Sequence, residues 1–437
     1  MAEIIYINKK KTKEQKKFES ELIKMNKALN EKMQLINSIL EKVGTQIETI
    51  DSQVEYMERQ ITPDFYIESS NDNTTITITG LGTGVLSYSK SPSDTSSWIE
   101  LAISHGSSDD IIINSGERLY LKGNIDTDNS GEEGSITIGS DGPITVGGNV
   151  YSIADPNGEL RQDYQCRRLF LQCRYLQNAP ELPATTLVDS CYREMFSGCT
   201  GLITAPELPA TTLADYCYNE MFAGCTGLTS APELPATTLE DYCYNHMFGG
   251  CTGLITAPEL PATTLARYCY TGILQGCTSL TTAPELPATT LANYCYQAMF
   301  RGCTGLTAAP ELPATTLSNG CYYNMFRGCT SLTTAPELPA TTLTGSCYFY
   351  MFQGCTSLTT APELPATTLA VSCYSSMFMG CTSLNYVKCL ATNRSASNCT
   401  NSWLSGVATT GTFVKDANTT WSSGGSGIPS GWTVVDV

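Results

Sequence analysis

From Phe18 to Ile61 the apolar residues fall three and four apart: Phe18, Leu22, Met25, Leu29 and Ile36, then Leu40, Val43, Ile47, Ile50, Val54, Met57 and Ile61. That alternation is the seam of a coiled coil. Lys32 interrupts it, and the step from Ile36 to Leu40 shifts the frame by a four-residue stutter. Beyond the stutter, Ile47 and Val54 at one core position and Ile50 at the other favour three strands over two. The spacing predicts a coiled-coil stalk over 18–61 of a homotrimer, with Leu40 to Ile61 as its contact. A helix folded back on a neighbouring domain is the other reading.

After Pro63 the pattern changes from period 3.5 to period two. "TTITITG" alternates cleanly, and "GVLSYS", "WIELAI", "DIIIN", "RLYLKG", "SITIG" and "ITVGGNVYSI" follow, separated by turn residues. Seven short strands predict a small antiparallel β-sandwich over 63–155. Within it, Asp126, Asp128, Ser130 and Gly131 imitate half of a calcium loop. Position twelve would be Thr137, which cannot supply the bidentate carboxylate, so a hairpin loop is expected.

Between 166 and 390 the pattern repeats every 26 residues. "APELPATTL" recurs letter for letter at 179, 205, 231, 257, 283, 309, 335 and 361. Leu202 and Ala205 start an extended stretch that Pro206 and Pro209 keep short. From Leu213 the apolar positions 213, 217, 218, 221, 222 and 225 trace one face of a helical turn or two, ended by Gly224. Among the copies the inward letters scarcely change, whereas the outward ones read "VDS", "ADY", "EDY", "ARY", "ANY", "SNG", "TGS" and "AVS". Constant residues therefore build a solenoid and changing residues decorate one side. Residues 391–437, with Trp403, Trp421 and Trp432, are expected to cap it.

The whole reads as a multi-domain chain. A basic segment (1–17) and a trimeric coiled coil (18–61) precede the β-sandwich (63–155), a leucine-rich-repeat solenoid of 26-residue units (166–390) and the cap (391–437).

Composition narrows the partners. Charged residues make up 15% of the chain and the net charge is −17, with no basic stripe for phosphates, so nucleic acid is not expected. No apolar run reaches the length of a membrane span. The start, "MAEIIYINKKKTKEQKKF", places lysines after a four-residue apolar run, the reverse of a secretory signal, and synthesis in a cytoplasm is expected.

Sixteen of the 20 cysteines form two columns, Cys191 to Cys373 and Cys199 to Cys381, eight apart within each copy and without accompanying histidines. That is not metal-ligand spacing, and stacked equivalents are too far apart for disulfides, so thiol columns, no metal and no cofactor are expected. The column Glu181 to Glu363 brings like charges together. Fanning into water, backbone N–H groups or bound cations would each relieve it.

The unit "MFSGCTGLITAPELPATTLADYCYNEMF" resembles the BspA-type leucine-rich repeat over about 215 residues. The resemblance implies a parallel solenoid and an association with adhesion and surface recognition. The order of stalk, β module and terminal array resembles a bacteriophage fibre, an analogy of architecture. It implies an exposed virion fibre, on head or tail, that recognises a bacterial surface glycan or protein. Lys9, Lys10, Lys11, Lys13, Lys16 and Lys17 would then dock on other virion proteins. A purely structural capsid decoration and a bacterial cell-surface adhesin are the alternatives.

For chemistry, His105 and His246 lie in different segments and the repeated carboxylates lack an asymmetric pair, so no catalytic residue and no enzyme is expected. The candidate binding residues are an aromatic stripe: Tyr216, Tyr242, Tyr268 and Tyr294 before the repeat cysteine, then Tyr323, Phe349 and Tyr350. Regular rings suit sugar stacking or a protein anchor; alternatively each lies flat on its neighbouring coil and shields the core.

Overall fold

A computed structural model describes residues 65–126, 134–155, 159–160 and 162–437, together with scattered positions between 17 and 42. The latter are helical and exposed, including Leu22, Met25, Leu29 and Ile36. Among the described residues the long coiled coil expected over 18–61 is not formed. Lys32 and the stutter at Ile36 leave fewer consecutive heptads than a coiled coil requires. Leu40, Val43, Ile47, Ile50, Val54, Met57 and Ile61 lie outside the described residues, as do Lys9, Lys10, Lys11, Lys13 and Lys16; Lys17 is helical and exposed.

Pro63–Val437 form one compact unit. It opens with eight strands: β1 (Phe65–Ser69), β2 (Thr74–Gly80), β3 (Thr83–Ser89), β4 (Ile99–Ile103), β5 (Ser108–Ile113), β6 (Arg118–Asp126), β7 (Ile136–Ser140) and β8 (Ile144–Gly147). One antiparallel sheet runs β4-β3-β6-β1-β8 and the other β5-β2-β7. Alternation decides the inner faces: Ile76 and Ile78 of β2 and Phe65 and Ile67 of β1 are buried between half-exposed neighbours. The strand "FYIES" escapes the sequence reading because it alternates over only five residues. Of the loop resembling a calcium site, Asp128, Ser130 and Gly131 lie outside the described residues.

The β module and the repeats do not form separate domains. Ile138 and Ile144 donate their N–H groups to Leu169 and Tyr175 at 2.7 and 3.1 Å, and the Gln177 N–H returns to Ile144 at 2.9 Å. Phe65 meets Phe170 with ring centroids 6.2 Å apart, so one core continues into the next. β7 and β8 thus act as the first layer of the stack.

Within the stack the expected leucine-rich-repeat layout also fails: among the described residues the units contain no helix, and their strands reduce to isolated parallel bridges such as Thr204 to Ser230 and Thr186 to Thr212. The segment expected to be helical alternates its hydrogen bonds instead. N–H groups of Tyr216, Tyr218, Glu220, Phe222 and Gly224 donate to Asp241, Cys243, Asn245, Met247 and Gly249 of the next coil at 2.7–3.1 Å. Those of Cys217, Asn219, Met221, Ala223 and Cys225 donate three residues back at 3.0–3.3 Å. Every fourth residue is left-handed, as at Tyr216, Glu220 and Gly224, with φ of 57°, 55° and 73°.

The same three-step pattern marks ten coils, from Tyr164, Arg168 and Gln172 in coil 1 to Asn398, Ser402 and Gly406 in coil 10. A period of four in apolar residues fits this string of turns as well as a helix, and the left-handed positions choose between them. Coils are numbered from 1 to 10 in chain order below.

Inward columns fill the coil. Cys217, Tyr218, Met221, Phe222, Cys225 and Leu228 are buried, as are their equivalents along the stack. The inner tyrosines stack from Tyr192 to Tyr374 with centroids 5.6–6.0 Å apart. Phenylalanines stack likewise on either side of Leu274, where the neighbouring Ile273 takes the methionine place.

The tail 391–437 continues the stack before closing it. Coil 10 lies between β9 (Tyr386–Cys389) and β10 (Gly411–Lys415), which form a parallel sheet with β11 (Trp432–Asp436). Thr400 stands 26 residues after Tyr374, so the inner tyrosine stack would lack its next ring; the Trp403 indole supplies it, 6.2 Å from Tyr374. Trp403 donates to the Gly427 carbonyl at 2.9 Å and stacks on Trp421, which seals the end.

Candidate recognition face

Most of the changing letters lie in one segment of each coil, between the leucine of "TTL" and the second cysteine, 188–198 in coil 2 and its equivalents; the positions of Gly201, Ile203 and Thr204 change as well. Because the coils stack in register, these segments form one lateral face. Two of its three left-handed columns carry side chains except at Gly272 and Gly320, and the third is glycine in coils 2 to 10.

The column of Asp163, Asp189, Asp215, Asp241, Arg267, Asn293 and Asn319 is not free, contrary to what its variation suggests. The carboxylates of Asp163, Asp189 and Asp215 accept the backbone N–H of the residue 26 places on, at 3.1, 3.2 and 3.1 Å. Asp241 does so for Arg267 at 2.8 Å, and the Asn293 amide oxygen for Asn319 at 3.1 Å. Side-chain caps of this type suit Asp and Asn. Recurrence of those two residues at 26-residue spacing was the available signal. Burial pushes the Asp189 carboxyl up, aided by Asp163 and Asp215 on either side.

Tyr216, Tyr242, Tyr268 and Tyr294 come together as a ladder. Their centroids lie 4.5, 4.6 and 5.0 Å apart and their planes within 10°. The ring faces are therefore covered by one another, and the ladder offers edges and hydroxyl groups instead of open platforms. Arg193 lies 5.5 Å over the first ring, and Gly320 lies beneath the last, where a Cβ would strike Tyr294. Burial raises the pKa of the Tyr242 and Tyr268 hydroxyls, as does the adjacent tyrosine. Tyr323 and Phe349 stack at 4.9 Å, and Tyr350 stands edge-on to Phe349 at 4.2 Å. These three form a second group, half-buried like the ladder.

Charged groups surround the rings. Burial works to raise the Glu194 carboxyl, but the hydrogen bond from Arg168 and the fields of Arg168, Arg167 and Arg193 outweigh it and hold the pKa low. His246 is left-handed and its imidazole lies over Gly272, where a Cβ would meet the ring. Desolvation lowers its pKa; Glu220 opposes the shift and Arg301 adds to it.

On the other sides of the stack, Glu181 to Glu363 are all exposed, and among them Lys388 pairs with Glu363 at 3.0 Å. Among the described residues no backbone N–H group donates to these carboxylates. All 20 cysteines are buried thiols. Those of the Cys199 to Cys381 column donate to a carbonyl of the preceding coil, as Cys225 does to Phe196 at 3.0 Å. Burial raises their pKa, to about 12 at Cys251, Cys303 and Cys381.

No known protein family, curated protein or solved structure matches the chain.

Proposed function

We propose that the protein is a non-enzymatic recognition protein, a rigid stack that presents one lateral face to a bacterial surface glycan or protein. The observation that carries this reading is the segregation of variation. Core letters repeat through the coils, while most of the residues that differ gather on one face and include seven half-buried aromatic side chains. Aromatic residues of this kind anchor interfaces because they bury large area with few rotatable bonds. Buried thiols with raised pKa values provide no nucleophilic thiolate at neutral pH, which supports a binding role.

The setting proposed is a fibre on a bacteriophage particle, made in the host cytoplasm. The coiled coil drops out of the proposal as its means of attachment. Detection of the chain in purified particles tests the setting.

Binding is tested with Phe349→Ser/Tyr350→Ser, which gives coil 8 the residues that coil 9 carries as Ser375 and Ser376. The full chain, labelled, is titrated onto a panel of bacterial cells. Adhesion is expected to weaken about tenfold in the variant, the size of one anchor's loss. Equal adhesion by variant and natural protein on every cell that binds would overturn the reading.

A further inference from the structure

We propose that the lateral face of coils 2 to 7 is covered by a second copy of the same chain, antiparallel to the first. This rests on the reading of that face as an interaction surface and names one of its partners.

The charges along the face change sign once. Coils 2, 3 and 4 carry Asp189, then Asp215 and Glu220, then Glu240 and Asp241. Coil 2 also carries Arg193 and Glu194, 3.3 Å apart, so its own charges sum to one negative, and Glu194 is shared with Arg167 and Arg168 of coil 1. Coils 5, 6 and 7 carry Arg267, Arg301 and Arg327. These side chains are exposed or half-exposed, and Arg267 and Asp241, 3.8 Å apart, keep 59% and 35% of their side-chain surface. Arg301 lies near enough to His246 to lower its pKa, and Arg327 stands 5.3 Å over Tyr350, which ties both to this face.

The sign changes between coils 4 and 5. The ladder Tyr216, Tyr242, Tyr268 and Tyr294 occupies coils 3 to 6, so its midpoint falls in the same gap. A two-fold axis there sets coil 4 against coil 5 of the partner, coil 3 against coil 6 and coil 2 against coil 7. Coil by coil, Glu240 and Asp241 then fall level with Arg267, Asp215 and Glu220 with Arg301, and Asp189 with Arg327. The axis repeats each contact, so both halves are matched.

A parallel pairing would set acid against acid and arginine against arginine. The centre of the antiparallel arrangement is aromatic and its flanks are charged, the usual order of a protein interface. Ring edges and hydroxyls, with the ring faces already stacked, suit a facing row of the same groups better than they suit a sugar ring. Six coils at ~4.8 Å place the outer pairs about 24 Å apart. Phe349 and Tyr350 in coil 8 stay outside the footprint, free for another surface.

The test compares the solution mass of the full chain with two variants, each leaving residues 1–62 intact. Arg267→Asp/Arg301→Glu/Arg327→Glu makes the face acidic throughout, and position 267 then matches Asp241 in the same column. Asp215→Asn/Glu220→Arg/Glu240→Arg/Asp241→Asn leaves Asp189 against two new arginines and makes its first half basic; Asn293 already caps in the column of positions 215 and 241, and Arg168 is a left-handed arginine in the same column as position 220. Each variant alone is expected to sediment at half the mass of the natural protein, and an equimolar mixture to regain it. Raising salt from roughly 0.05 to 0.5 M should weaken the natural pair, because screening shortens the reach of its charges.

A natural protein no heavier than the variants, or variants as heavy as the natural protein, would overturn the proposal, provided both melt as the natural protein does. The same samples are titrated onto cells. Lost pairing by the natural protein with adhesion intact sinks only the second copy, whereas absent adhesion with pairing intact sinks the bacterial-surface reading and leaves the dimer.

Discussion

A left-handed residue that bears a Cβ costs about 1–2 kcal/mol, yet this chain keeps two such columns with side chains and reserves the third for glycine. Proximity does not force glycine in the third column. A Cβ on Gly302 would lie 3.8 Å from the Gly276 Cα, ordinary contact, so substitution there introduces conformational strain without a clash. Gly302→Ala is expected to lower unfolding stability by about 1–2 kcal/mol, read from denaturant titration. Ala298, already left-handed in the same coil, shows that the fold tolerates the change.

His246 makes a second prediction at this scale. Its folded pKa is lowered, chiefly by desolvation, so the native state holds it neutral while the unfolded chain binds a proton near the ordinary value of 6.5. Its contribution is therefore fully present above that value and is lost as pH falls below it. Melting temperatures from pH 8 to pH 5 should fall further for the natural protein than for His246→Asn, which borrows Asn324 from the same column of coil 7. Parallel curves would remove His246 as a source of acid sensitivity.

The coil is where sequence reasoning was strongest and also where it erred. The 26-residue period, the inward columns and the outward stripe were legible because burial constrains identity: Cys217, Tyr218, Met221 and Phe222 recur with their equivalents wherever a side chain points inward. The backbone path was not legible. Apolar residues four apart satisfy an α-helix and equally a string of turns whose alternate N–H groups reach the next coil. Choosing between them needs φ at Tyr216 and Glu220, and neither residue type announces a left-handed conformation. The aspartate caps were hidden for a related reason, since a column that tolerates Arg267 looks unconstrained.

Since each coil bonds chiefly to its neighbours, deleting 231–256 should join Ser230 to Ala257 in register and leave a shorter stack with a single cooperative melt. Deleting 231–243, half a unit, should abolish that melt. Survival of both deletions alike would argue against register as the organising constraint.

At the scale of the molecule, three elements were misjudged together. The β-rich module, the repeats and the tail read as separate domains because their compositions differ, yet Phe65 meets Phe170 and Tyr374 meets Trp403, so one core crosses both boundaries. Leu40 to Ile61 lie outside the described residues, and positions 32–39, which include Lys32 and Ile36, are helical and exposed. Closure at both ends has a physical purpose. An open terminal coil would present unpaired N–H and C=O groups and invite further chains to add. β7 and β8 meet the first coil, and the Trp403 cluster meets the last.

The alternating hydrogen bonds have a mechanical consequence. Bonds that join coil to coil run along the length of the stack, so a load drawing its ends apart falls on successive coil junctions arranged in series. The weakest junction yields alone, and its release pays out 26 residues of slack, about 90 Å of extended chain, before the next is strained. A protein tethered at one end and attached at the other would thus yield by lengthening in steps instead of letting go.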